Sequence, residues 1–257
     1  IVYGPIADDD VAMFPVGEID ARSGRAAYDT IERAVADALA GRVDAMATAP
    51  INKASFAAAG LAWKGRTDLL AHLCDASEVA MMFWSDELRV VLATVHIALA
   101  DVPRAITLDG LTGVIALTAR SLPRFGIATP RIALAGLNPH AGEDGLMGRE
   151  EIEVMRPAIA RAQASGIDVD GPFPADTLFV RAARGDFDVV IAAYHDQGLV
   201  PVKLLAFGRS VNVTIGLPIV RTSVDHGTAF DIARQGKADA GSMVEAILLA
   251  ARLAAGR

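Results

Sequence analysis

Three of the five histidines follow apolar runs of the kind that become buried strands. His96 ends "VVLATVH", His140 follows "RIALAGLNP" and His195 follows "VVIAAY". In open α/β sheets, ligands gather beyond the carboxyl ends of strands, so three imidazoles at that position point to one shared site. Three neutral imidazoles suit Zn²⁺ or another borderline divalent ion, with coordination positions left for substrate. The bland reading is that each is an ordinary loop or capping histidine, because the three come from separate segments and no short metal motif joins them. The remaining two, His72 and His226, lie in a helical pattern and in a Gly-flanked turn.

A second set of residues suits an anion. "YHDQGLVPVKLL" places Lys203 in an otherwise apolar helix, where its ammonium must snorkel outward or face a negative group. "SVNVTIGLPIVRTSVDHGTAFD" places Asn212 in a strand and Arg221 just after Pro218. Lys203, Asn212 and Arg221 could converge on a phosphate or carboxylate, which a forked guanidinium recognises well. In "DHGTA", residues 225 to 229, Gly227 and Thr228 precede an expected helix start. They could offer backbone N–H groups to a cofactor phosphate, or form a plain N-cap. In "GLNPHAGEDGLMGREE", Gly142, Gly145 and Gly148 recur every three residues. A phosphate cradle is conceivable there, and a flexible loop is the simpler alternative. The chain has no G-x-G-x-x-G fingerprint after the first strand, no Walker A sequence and no G-x-S-x-G. Neither the serines nor Cys74 carries a nucleophile signature.

The elements that must position these residues alternate between helix and strand. "RAAYDTIERAVADALAG" carries Ile31, Val35 and Leu39 at a four-residue step, with Gly41 as a stop. "VDAMATAP" reads as a buried strand. "VAMMFW" and "LRVVLATVHI", separated by "SDE", read as an antiparallel hairpin. "LTGVIALTARSLPRFG" is helical and broken near Pro123, "RIALAGL" is a strand, and "REEIEVMRPAIARAQASG" is a helix. "FDVVIAAY" is a strand, "LVPVKLLAFG" a short helix and "SVNVTIG" a strand. "GTAFDIARQG" and "SMVEAILLAARLAAG" are expected as closing helices. This order predicts an α/β fold with a mainly parallel sheet, and the number of strand runs predicts two lobes with a cleft. The opening "IVYG" reads as a strand that begins at once, with no Met and no crossover before "VAMFPV". We therefore expect residues to precede Ile1, with a further gap after Gly4.

Bulk properties narrow the function classes. The chain has 257 residues, is 53% hydrophobic and carries a formal charge of −7 with no block of like charges. That argues against a nucleic-acid partner, which demands a basic face. The longest apolar runs are too short or too interrupted by charge to span a bilayer, and the start does not read as a signal peptide. A single cysteine, Cys74, excludes an intrachain disulfide and fits a reducing cytoplasm.

"GLNPHAGEDGLMGREE", "PADTLF", "YHDQGLVPVKLL" and "VNVTIGLPIVRTSVDHGTAFDIA" together resemble the PdxA family, the 4-hydroxythreonine-4-phosphate dehydrogenases of pyridoxal phosphate synthesis. The likeness runs from about Val16 onward. It implies two α/β/α lobes around a cleft, similar to isocitrate and isopropylmalate dehydrogenases. We place them at residues 1–62 with 222–257, and at 63–221. It also implies a homodimer with shared active sites, and NAD bound without the Rossmann fingerprint, NADP being the other candidate. The resemblance puts a divalent metal on His96, His140 and His195, with His195 at the position supplied by the partner subunit. Zn²⁺ is the first candidate, then Mg²⁺, Mn²⁺ or Co²⁺. It puts substrate contacts on Lys203, Asn212 and Arg221, an acidic residue beside the metal at Asp176, and cofactor contacts at Asp225, Gly227 and Thr228. Two departures stand out. The family's amino-terminal glycine-rich run is missing, and "GHTE" is replaced by "GRTD", so that Arg66 stands where the family has a substrate-contacting histidine, beside Thr67.

The implied reaction is oxidation of the secondary hydroxyl of 4-phosphohydroxy-L-threonine, with Lys203 or Asp176 as base, followed by decarboxylation to 3-amino-2-oxopropyl phosphate. Arg66, permanently charged and forked, keeps other substrates open: 4-phospho-D-threonate, 4-phospho-D-erythronate or a carboxylated cyclohexadiene diol. Outside this class, a three-histidine site would also serve a metal-dependent hydrolase, and a degenerate paralogue would only bind ligand.

Overall fold

The computed structural model describes residues 14–63 and 65–256; the strand expected at "IVYG" lies outside them. Eight strands run along the described chain: β1 (Ala45–Thr48), β2 (Ala80–Trp84), β3 (Arg89–Leu92), β4 (Ile132–Ala135), β5 (Val169–Phe173), β6 (Val189–Ala192), β7 (Val211–Ile215) and β8 (Val220–Ser223). The chain divides into two compact units. One joins the residues up to Ser77 with Leu217–Ala255; the other is built on Glu78–Gly216. These divisions fall at 77/78 and 216/217, where the sequence reading had 62/63 and 221/222, so Arg66, Thr67 and Arg221 all belong to the first unit.

In the first unit β1 and β8 pair in parallel, with Thr48 opposite Ser223. Helix Ala21–Leu39 starts where the Asp20 carboxylate accepts a hydrogen bond from the Ser23 N–H, satisfying one of the orphan donors of the first turn. Its inner face buries Ile31 and Val35, whereas Leu39, expected on that face, is exposed. Gly24 on this helix lies against the backbone of Ser55: a Cβ there would sit 2.1 Å from the Ser55 carbonyl oxygen. Helix Gly241–Ala255 packs on both strands, and its Ala246 carbonyl accepts from the Thr222 hydroxyl.

In the second unit the strand order is β7-β2-β3-β6-β4-β5. β2 is antiparallel to both β7 and β3, while β3, β6, β4 and β5 run parallel. The sheet is thus mixed, and the expected hairpin forms with Phe83 opposite Val90. The central strands are apolar on both faces; Val90, Ala133, Val190 and Ala192 are inaccessible to solvent, as expected for strands covered from both sides. Helix Leu108–Ser121 tightens into a 3-10 turn at Leu122–Phe125 near Pro123, as the sequence predicts. The helix expected across "REEIEVM" begins as a wide π turn at Glu151–Met155 and becomes α-helical at Arg156. β5, β8 and helix Ala175–Ala183 were not anticipated.

One expected helix is absent. "GTAFDIARQG" contains only the 3-10 turn Phe230–Ile232, because Ala229 and Arg234 adopt left-handed backbone (φ 48° and 62°), which interrupts a right-handed helix. Among the described residues no single helix is long and apolar enough to cross a membrane.

The Gly24 contact is a test of this packing. A methyl group there meets backbone, which cannot rotate away, so Gly24→Ala should cost about 1–3 kcal/mol and lower the melting temperature by roughly 2–10 °C. An unchanged calorimetric midpoint would show that helix Ala21–Leu39 and the Ser55 backbone are not held at this distance.

Candidate active site

The ends of β3, β6 and β4 are tied together by polar groups. The Thr94 hydroxyl donates to the Ala193 carbonyl at 2.7 Å, alongside the Thr94 N–H. Gln197 completes the tie: its Oε1 accepts from the Ala193 N–H and its Nε2 donates to the Gly136 carbonyl, each at 2.7 Å. A primary amide can serve both because it carries an acceptor and two donors. His96, His195 and His140 therefore leave strand ends that are joined to one another. Gly198 brings helix His195–Ala206 down onto β3, since a Cβ at that position would lie 2.7 Å from Leu92 Cδ2 and 2.8 Å from Val90 Cγ1. The sequence marked Gln197 only as a neighbour of His195, and Thr94 not at all.

His96 and His195 are brought together, with ring centroids 5.6 Å apart. His195 Nδ1 lies 2.7 Å from Asp196 Oδ1, and His140 Nδ1 lies 2.6 Å from Glu143 Oε2. An ionised carboxylate only accepts, so Nδ1 is the donor in such a contact, and a neutral ring would then present its Nε2 lone pair to a metal. The donor chemistry thus fits a divalent ion. The assembly within one chain does not complete it: among the described residues no group of three or more His, Cys, Asp or Glu side chains could hold a metal. His96 and His195 form a pair, and His140 is not part of such a cluster. The His72 ring packs on Trp63, with centroids 4.9 Å apart.

His140 stands on an unusual loop. Residues His140 to Asp144 all have positive φ, between 44° and 83°, a left-handed turn. For the non-glycine residues this costs roughly 1–2 kcal/mol each, so the surroundings must hold it. The anchor is Glu151, 1% exposed, which accepts from the Asn138 N–H at 2.7 Å and from Asn138 Nδ2 at 2.9 Å. Glu150 takes the other Nδ2 hydrogen at 2.7 Å. The glycines allow this approach: a Cβ at Gly142 would lie 2.7 Å from Glu151 Oε2, and one at Gly148 would lie 2.4 Å from Asn138 Nδ2. Gly142 and Gly148 thus pack against an amide and two carboxylates, surroundings that repel an anion, so the phosphate-cradle reading is corrected here.

Of the other residues in this unit, Asp176 is exposed in the first turn of helix Ala175–Ala183, which packs against the His140 segment. Lys203 is half-buried on the His195 helix, its ammonium 5.8 Å from the centre of the Phe207 ring. Asn212 lies opposite Phe83 between β7 and β2, and its Oδ1 is buried with no hydrogen-bond partner among the described residues.

The first unit holds a cationic cluster. Arg221, 2% exposed on β8, and Arg66, half-buried at the start of helix Arg66–Leu73, both donate to the Thr48 hydroxyl at 2.9 Å. Arg66 also donates to the Ala49 carbonyl. Burial pushes Arg66 down to about 10, and burial together with the charge of Arg66 pushes Arg221 down to about 9. Thr67 follows Arg66 in the same helix. The helix start expected after Gly227 is not there, so no helix N-terminus is offered by Gly227 and Thr228. Thr228 instead lines a pocket of about 210 Å³ with Gly24, Asn52, Ser55, Phe56 and Phe230. Asp225 is half-buried, and its N–H lies 3.3 Å from Ser242 Oγ.

Three histidines thus stand at strand ends of a tied α/β sheet, two of them with a carboxylate at Nδ1, and residues of this type can ligate a divalent metal. The comparisons name the family. The sequence pattern described as "Pyridoxal phosphate biosynthetic protein PdxA" matches residues 5–250, and the chain belongs to that family. It is 50% identical over 253 residues to the 4-hydroxythreonine-4-phosphate dehydrogenase of Beijerinckia indica, covering 98% of this chain and 75% of the relative. It is equally 50% identical, over 244 residues, to the D-threonate 4-phosphate dehydrogenase of Cupriavidus necator, covering 95% of this chain and 73% of that one. The crystal structure of 4-hydroxythreonine-4-phosphate dehydrogenase from Klebsiella pneumoniae superposes with a TM-score of 0.89 at 47% identity, over 95% of this chain and 75% of that chain. A β-decarboxylating dehydrogenase from Thermococcus kodakarensis shares the fold at TM-score 0.52 and 16% identity, over 88% of this chain and 67% of its own.

Glu151 is the residue on which the His140 loop should depend. Glu151→Ala leaves the Asn138 N–H buried without an acceptor, a cost of about 1–3 kcal/mol. Amide hydrogen exchange at residues 139–147 should accelerate while β4 stays protected. Equal protection of the loop in both proteins would show that the turn is held by something else.

Proposed function

We propose that this chain is an NAD-dependent, divalent-metal-dependent dehydrogenase that oxidises the secondary hydroxyl of a 4-phosphorylated four-carbon acid. The observation that supports it most is the family match across residues 5–250 combined with the oriented His96–His195 pair. The biosynthetic reading has 4-phosphohydroxy-L-threonine as substrate, oxidised and decarboxylated to 3-amino-2-oxopropyl phosphate. A second reading, the same oxidation on 4-phospho-D-threonate, is favoured by Arg66 and by the equal similarity to a D-threonate 4-phosphate dehydrogenase. Two α/β/α lobes of the isocitrate dehydrogenase type, NAD contacts at Asp225, Gly227 and Thr228, and a cytoplasmic location belong to the same proposal.

In this reading His96, His140 and His195 hold the ion, which when bound supplies Lewis acidity toward the substrate hydroxyl. The chain's own residues do the rest. Asp196 and Glu143 keep the imidazole lone pairs on Nε2. Lys203 or Asp176 takes the hydroxyl proton; a dinucleotide, when bound, would supply the hydride acceptor. Lys203, Asn212, Arg221, Arg66 and Thr67 hold the anionic groups of the substrate. The unpartnered Oδ1 of Asn212 is suited to accept from a substrate hydroxyl.

A single chain assembles two of the three histidines, so we propose that a homodimer completes the set. The surface supports this: on helix His195–Ala206 Val200 and Leu204 stand one turn apart and Phe207 follows the helix end, with Leu204 82% and Phe207 79% exposed.

Two measurements decide these points. Purified, metal-loaded protein should raise reduced-nicotinamide absorbance with one of the two phosphorylated acids, and His140→Ala should lose both bound metal and turnover. A metal-dependent hydrolase would give no nicotinamide signal, and full metal occupancy with normal turnover in His140→Ala would remove His140 from the site. Separately, Leu204→Glu should shift the protein from dimer to monomer in light scattering and abolish activity. A dimeric, active Leu204→Glu protein would overturn the assignment of this surface to the interface.

A further inference from the structure

The first residue past β4 is Gly136 and the first past β6 is Ala193, and both are buried. Each begins a turn that carries a histidine. In one turn, Gln197 Oε1 accepts from the Ala193 N–H at 2.7 Å, so a side chain four residues on closes a loop with His195 at its centre. In the other, a Cβ at Gly136 would lie 2.9 Å from Ala141 Cα, so the left-handed loop that carries His140 rests directly on Gly136. The two turns meet at one group. Gln197 Nε2 donates to the Gly136 carbonyl at 2.7 Å, across 61 positions of sequence.

The sheet alone does not reach this far. The β4–β6 ladder ends with Leu134 opposite Ile191, two residues before Gly136 and Ala193. Beyond it each turn is fastened to a different neighbour. The Gly136 N–H donates to the Phe173 carbonyl of β5 at 2.8 Å, and the Ala193 carbonyl accepts from Thr94, past the end of β3. The Gln197 amide is the bridge between them. An amide offers an acceptor and donors in one plane, so it serves an N–H and a carbonyl at once. A carboxylate of the same shape would still accept from Ala193 but would turn a second acceptor toward the Gly136 carbonyl. A thioether of similar length would serve neither group, and buried backbone groups left without partners are costly.

We propose that Gln197 is a positioning residue: it locks the His140 turn to the His195 turn and thereby sets how the two imidazoles are presented to a divalent metal. The metal half of this inference rests on the site proposed above; the lock between the two turns does not. Gln197 acts through the backbone of Ala193 and Gly136.

The test uses the full chain, three variants and two readouts. Gln197→Glu keeps the Ala193 bond and loses the Gly136 bond, whereas Gln197→Met loses both. Leu117→Ala, buried on helix Leu108–Ser121, lowers stability without touching the tie and serves as the control. Circular dichroism confirms that each variant is folded; if Gln197→Met is not, Gln197→Glu decides alone. In metal-free protein, amide exchange at residues 139–147 should accelerate in Gln197→Glu while Ala193 stays protected, and both should accelerate in Gln197→Met. Unchanged exchange at 139–147 in the Gln197 variants would overturn the lock. In titration with Zn²⁺ against a chromophoric chelator, the Gln197 variants should bind the ion more weakly by on the order of tenfold to a hundredfold, the usual effect of disturbing the groups that orient metal ligands. Leu117→Ala should bind Zn²⁺ as the wild type does. Wild-type affinity in the Gln197 variants, or an equal loss in Leu117→Ala, would overturn the positioning role. A wild type that binds no Zn²⁺ would defeat the metal reading and the positioning role with it, while the exchange result still decides the lock.

Discussion

The backbone of Ala193 is the point on which the strand ends of the second unit depend. Its carbonyl receives Thr94 and its N–H gives to Gln197, whose other end holds the Gly136 carbonyl. Strand ends ordinarily fray, because their outermost polar groups have no ladder partner. Here three ends are closed by side chains instead, and the three histidines depart from the closed edge. A metal site tolerates displacement of its ligands by only fractions of an ångström, so a fixed platform is a physical requirement of the chemistry proposed. Gly198 serves the same end: with no Cβ, it lets the His195 helix rest directly on Val90 and Leu92.

The His140 loop solves a harder problem by a different means. Its backbone takes a left-handed path through residues that carry Cβ atoms, which is unfavourable locally. The compensation comes from a buried carboxylate that satisfies the Asn138 amide and from glycines that admit it at close range. Strain of this kind concentrates at functional sites, where the surroundings over-determine one conformation. In the first unit the equivalent compromise is electrostatic. Arg221 is buried on a strand and shares its hydroxyl acceptor with Arg66. Burying a charged group is costly unless it is hydrogen-bonded, and the shared hydroxyl supplies one such bond to each guanidinium.

Much of this was legible in the chain itself. Apolar runs bounded by polar residues or glycine identified β1, β2, β3, β4, β6 and β7, and the "SDE" separator marked the β2–β3 hairpin. These signals are local, arising from side-chain period and turn chemistry, and they placed His96, His140 and His195 at strand ends. β5 was hidden because "VDGPF" contains a glycine and a proline, which ordinarily argue against a strand. β8 was hidden because "VRTS" is polar, although all four residues are buried. The apolar and glycine pattern of "GTAFDIARQG" suggested a helix that two left-handed residues prevent.

What the sequence by itself determined is therefore the order of six strands and of the longer helices between them, the residue types available for chemistry and their position at strand ends, since each follows from neighbours along the chain. What only the tertiary structure decided is which of those residues meet. Thr48 reaches Arg66 across 18 positions and Arg221 across 173, and Gln197 reaches Gly136 across 61. Contacts over such separations depend on strand order and register, which no local pattern encodes. The same holds for the pairing of His96 with His195 and for the exposure of Leu204 and Phe207. Packing selects one partner for each polar group from many of the same chemical type, because burial leaves each donor and acceptor little choice once the backbone is in place.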